Sequence, residues 1–93
     1  MDVEVISDIR ESVQLSFTVL SDSRIIISRQ GHRAVNRKLS LDSEDVDGGG
    51  WIFLKSRKIT FYSGAYAWVD SKKREDVREA ICQELRIHLR ITT

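Results

Sequence analysis

The sequence predicts an α+β fold: a small, largely antiparallel sheet with one long C-terminal helix and a terminal strand. Three observations predict it. Apolar residues alternate strictly at Val13, Leu15, Phe17 and Val19, as in a strand with one buried face. Val77, Ala80, Ile81 and Leu85 recur at helical spacing. Ile87, Leu89 and Ile91 then alternate with Arg86, His88 and Arg90. With 93 residues, no proline, no internal repeat and no low-complexity tract, the chain reads as a single domain over residues 1–93 with one modest core.

Taken in order, Val3, Val5 and Ile6 suit a short leading strand. Glu11 to Leu20 is the alternating strand. Ser21-Asp22 is turn chemistry, and Ser23 to Gln30, with Ile25-Ile26-Ile27, completes a hairpin. From His32 to Ser43 the pattern fits two structures: Val35 and Leu39 suit a short helix, while Arg37, Leu39 and Leu41 alternate as in a strand. Ser43 to Asp47 is an acidic link into Gly48-Gly49-Gly50. Trp51 to Leu54 and Lys58 to Tyr62 read as a hairpin around Ser56-Arg57. Tyr62 to Val69 follows, with Tyr66 and Trp68 on one side. Asp70-Ser71 offers helix N-cap oxygens, and Lys72 to about Leu85 is the helix. Glu75 and Arg78 can pair across one turn. Lys72, Lys73 and Arg74 oppose the positive end of the helix dipole, so Asp70, Glu75 or a bound anion is expected to offset them.

Composition narrows the function. Fifteen Lys/Arg against fourteen Asp/Glu give a net charge of +1, which argues against nucleic acid as a partner. The longest apolar runs, Ile25 to Ile27 and Trp51 to Leu54, fall far short of a membrane span. Met1-Asp2-Val3-Glu4 lacks the basic start of a signal peptide. The lone Cys82 can form no intramolecular disulfide and no cysteine zinc site. Together these point to a cytoplasmic protein.

Two features invite a chemical reading. Three of the five glycines fall at Gly48-Gly49-Gly50, directly before a predicted strand. Such a run serves either as a hinge or as a concave array of N–H groups suited to an anion. No Lys-Ser or Lys-Thr follows it, so it is not a Walker loop. His32 and His88 are the only histidines. His88 belongs to the solvent face of the terminal strand, whereas His32 follows Gly31 at a strand end, where a loop can present it to a cleft. The sequence holds no G-x-S-x-G elbow and no C-x-x-C pair. Two distant histidines without clustered carboxylates make no metal site, and no cofactor is expected.

The stretch from Gly48 to Leu85 resembles the C-terminal half of the Janus/ocnus protein phosphohistidine phosphatases. The similarity lies in Gly48-Gly49-Gly50-x-Ile52, a short charged turn, Lys58-Ile59-x-Phe61-Tyr62, then Ser63-Gly64-Ala65-Tyr66-Ala67 and a helix. Upstream, His32-x-x-Val35-x-x-Lys38-Leu39-Ser40 is similar to the segment around the family's catalytic histidine. Arg24 stands where the family places a phosphate-contacting lysine. The chain is shorter than the family, carries Trp51 where the family often has arginine, and carries Ala65 where the family's pocket has serine. The resemblance implies metal-independent hydrolysis of phosphohistidine. His32 would activate water or take the phosphoryl group. Arg24, Gly48, Gly49, Gly50 and the backbone of Ala65 and Ala67 would bind phosphate. It equally allows an inactive relative that keeps phosphate binding.

A different class of function stays open beside this one. Tyr62, Tyr66, Trp68 and Trp51 are side chains of the kind that anchor interfaces, and the edge strands of a small sheet can pair with a peptide or with a second copy. The partner is then a protein or phosphoprotein, or the chain itself as a homodimer.

Overall fold

The computed structural model describes residues 1–61 and 71–92. In chain order it contains β1 (Asp2–Val5), β2 (Gln14–Leu20), β3 (Arg24–Ser28), α1 (His32–Leu39), a 3₁₀ turn (Ser43–Asp45), β4 (Val46–Phe53), β5 (Lys58–Phe61), α2 (Ser71–Leu85) and β6 (Arg90–Thr92). The strands form one sheet in the order β1-β3-β2-β4-β5-β6. This is the expected α+β class with a corrected topology. Pairings β2–β3, β2–β4 and β4–β5 are antiparallel, but both edge strands join in parallel, β1 to β3 and β6 to β5. The sheet is therefore mixed rather than largely antiparallel. Each parallel pair needs a long return connection. Between β5 and β6 that connection includes α2; β1 reaches β3 through β2.

The alternation in β2 divides the molecule into two faces. Leu15, Phe17 and Val19 point one way and are fully buried with Ile25, Ile27, Ile52, Ile59 and Phe61 under Val77 and Ile81 of α2. Ala80 and Leu85 pack at the margin of this core, as their spacing predicts. The other face is more polar. Ser16, Thr18 and Ser28 are buried there, and α1 covers it by placing Val35 against Ile26 and Leu20, with Leu39 beside them.

The ambiguous segment resolves as helix over His32–Leu39, closed by Ser40 in the left-handed conformation at φ 54°. Two boundaries move. The terminal strand begins only at Arg90, because Arg86 turns the chain at φ 56° and Leu89 belongs to the core below α2. The glycines lie inside β4, which starts at Val46, five residues before the expected strand start at Trp51. The Tyr62–Val69 aromatics and Asp70 lie outside the described residues. No described helix is long and apolar enough to cross a membrane.

Candidate functional site

His32 is the first residue of α1, and Gly31 before it is extended, so the imidazole is aimed back onto the sheet rather than along the helix. Its Nε2 lies 3.1 Å from the carbonyl oxygen of Phe17. The ring meets Trp51 edge to face, with centroids 4.8 Å apart. Burial pushes the imidazole below its ordinary pKa, and hydrogen bonds to the backbone of Phe17 and Gly50 pull the other way. A carbonyl oxygen only accepts, so Nε2 carries the proton.

The sequence-predicted residues separate into two groups. Phe17 and Gly50 stand opposite each other in the β2–β4 register, so His32 and the end of the glycine run come together over these two strands. Arg24 does not join them. It begins β3 at the opposite end of α1, beside Leu39 and Ser40 in a cleft of about 270 Å³, and its Nε donates to Asp22 Oδ2 at 2.8 Å. Ala65 and Ala67 lie outside the described residues.

The glycine run differs from both readings of it. Gly48, Gly49 and Gly50 are buried and pair in register with Val19, Thr18 and Phe17, and none of the three has positive φ. Successive N–H groups of an extended strand point to opposite edges, so this backbone does not converge on one anion. Nor is it a hinge, since it is ordered pairing in the middle of the sheet. At Gly50 the glycine is there for packing. A Cβ would fall 2.8 Å from Cε1 and Cζ of Phe17, whose ring in turn meets Phe61 at 5.1 Å in a T-shaped pair.

The misplaced charge at the start of α2 also finds its explanation. Lys73 Nζ donates to Asp47 Oδ2 at 2.6 Å, and Arg74 lies 5.8 Å over the Phe61 ring. The carboxylate that offsets the first turn is thus Asp47, from the acidic link at the start of β4, not Glu75, which turns to Arg78, while Asp70 lies outside the described residues. Glu75 and Arg78 pair as expected, and that hydrogen bond lowers the pKa of the Glu75 carboxyl.

Trp51 and the Phe17 carbonyl are the members of the site that sequence reasoning missed. Trp51 stands out in composition, but its contact with His32 depends on α1 folding back over the sheet. A backbone carbonyl leaves no mark in a sequence. Among the described residues, no three His, Cys, Asp or Glu side chains gather as metal ligands. No family model matches the chain, and no curated protein matches it.

Proposed function

We propose that this chain hydrolyses phosphohistidine in proteins without a metal, with His32 as the group that accepts the proton of the attacking water. The observation that carries this reading is the Nε2 contact to the Phe17 carbonyl. It holds the imidazole in one tautomer and orientation, and burial favours the neutral form, which is what a general base needs near neutral pH. In the reaction, the imidazole takes a proton from water as the water oxygen bonds to phosphorus. The phosphorus–nitrogen bond breaks, and the substrate imidazole leaves with the electron pair and takes up a proton. Positioning supplies most of the acceleration in such a transfer. Of the phosphate ligands implied by the family resemblance, Arg24 is engaged by Asp22 and the backbone of Gly48 to Gly50 is paired within the sheet, so the reading rests on His32. Partners are phosphoproteins, and the single reduced Cys82 fits a cytoplasmic setting.

The test is turnover of a phosphohistidine peptide by the wild-type chain and by His32→Gln. Glutamine keeps an N–H donor for the Phe17 carbonyl and removes the base. The variant is expected to lose activity by about 100-fold or more while staying folded. Absence of turnover by the wild-type protein, with and without divalent cations, would overturn the proposal.

The second reading, a binding module without catalysis, rests on the sheet edges. Each of β1 and β6 pairs on one side only among the described strands, and Val5 on β1 and Ile91 on β6 are exposed. Unpaired edges of this kind accept a peptide or a second copy. Sedimentation at rising protein concentration tests the homodimer.

A further inference from the structure

A net charge of +1 conceals a local cluster of cations at one end of the sheet. At the end where the β2–β3 turn meets the 3₁₀ turn, Asp22, Asp42, Glu44, Asp45 and Asp47 are mixed with Arg24 and Lys73, which pair with Asp22 and Asp47. At the other end β4 turns into β5 and α2 turns into β6. That end carries Arg57, Lys58, Arg86, His88 and Arg90. The chain ties these turns together: the Arg90 N–H donates to the Arg57 carbonyl at 2.9 Å, and Lys58 stands opposite Arg90 in the parallel β5–β6 register. Arg57 and Arg86 both adopt the left-handed conformation, each at φ 56°.

Among the described residues, no carboxylate forms an ion pair with Arg57, Lys58, Arg86 or Arg90, whereas Arg10, Arg24, Lys73 and Arg78 each have one. Arg57, Arg86 and His88 line a cleft of about 590 Å³ together with Arg78, Cys82 and Ile87. Glu79 and Gln83 complete the lining. Arg78 is paired with Glu75 outside the lining, which leaves Arg57 and Arg86 against the single lining carboxylate, Glu79.

We infer that this cationic end of the sheet is a docking surface for a short acidic segment of another protein. The inference stands apart from the reading of His32. Guanidinium groups without partners, set around a cleft with an apolar wall at Ile87, suit carboxylates carried on a peptide. A nucleic acid fits less well. Its affinity grows with the number of phosphates neutralised along a track, whereas Arg57, Lys58, Arg86 and Arg90 form a compact cluster around two adjacent turns.

The experiment titrates the full chain with a hexaglutamate peptide and follows backbone amide NMR shifts. Shifts are expected at Arg57, Arg86, Ile87 and Leu89, and none at Asp22 or Asp45. Raising salt from about 50 to about 300 mM should weaken binding several-fold, since the surface is exposed. The double variant Arg57→Gly, Arg86→Gly removes two charges where φ is positive, so glycine leaves both turns unstrained. It is expected to weaken binding about tenfold or more with an unchanged melting temperature. Arg90→Gln, in an exposed strand position, should weaken it in the same direction. Absence of shifts at this end, binding that survives both variants, or tighter binding of an oligothymidine than of the acidic peptide would each overturn the inference.

Discussion

The ring of Phe17 occupies the space that any side chain at Gly50 would require, and the Thr60 carbonyl lies closer still, 1.9 Å from where a Cβ would be. Neither neighbour can give way cheaply. One is sheet backbone, and the other is a fully buried ring held against Phe61. Gly50→Ala is therefore expected to destabilise the protein by about 1–3 kcal/mol through overpacking. Urea denaturation measures it, and a loss under about 0.5 kcal/mol would contradict this packing role.

Ile81 is fully buried in the face of α2 that covers the sheet. Truncation to alanine removes transfer energy and leaves a cavity among Ile, Leu and Phe neighbours. Ile81→Ala should cost about 2–5 kcal/mol, seen as a lower denaturation midpoint with an unchanged slope.

His32 makes stability depend on pH in a definite direction. Burial holds its folded-state pKa below the ordinary value, so the unfolded chain binds the proton more readily. Its contribution is complete above the unfolded pKa of about 6.5 and is lost as pH falls below that value towards the folded pKa. Between pH 7.5 and 5.5 the wild type should lose stability more steeply than His32→Gln. Equal slopes for the two proteins in urea melts would show that the imidazole is not held neutral.

The Lys73–Asp47 pair is partly exposed on both sides, at 30% and 39%. Solvent screens such a pair, so Asp47→Asn should cost less than about 1 kcal/mol. The loss should shrink further in high salt. A thermal scan at low and high ionic strength checks both statements.

The elements set by local pattern were legible in the sequence. The alternation of Leu15, Phe17 and Val19 and the spacing of Val77 and Ile81 each report a buried face directly. What was not legible depends on distant partners. Glycines are disfavoured in strands, so Gly48 to Gly50 read as a connection. Their acceptance in β4 rests in part on the ring of Phe17, in a strand far earlier in the chain. The parallel edges were hidden because Val3 and Ile91 look the same in either orientation. For the site, His32 was visible by residue type alone. What holds it, the Phe17 carbonyl and the Trp51 ring, emerges only when α1 lies back over β2 and β4.

The polar underside beneath α1 has a consequence for how the molecule opens. The helix rests on Ser16, Thr18 and Ser28, with Val35 as its one fully buried residue. Thr18 Oγ1 and Asn36 Oδ1 are buried there without a hydrogen-bond partner among the described residues. Lifting α1 returns those oxygens to water and sacrifices little apolar contact, whereas lifting α2 uncovers the main core. Local opening should then proceed from α1, so its amides would exchange with solvent deuterium well before those of α2 between Val77 and Ile81. Each opening would carry His32 away from Phe17, so the imidazole is fixed only while this lightly held helix stays closed.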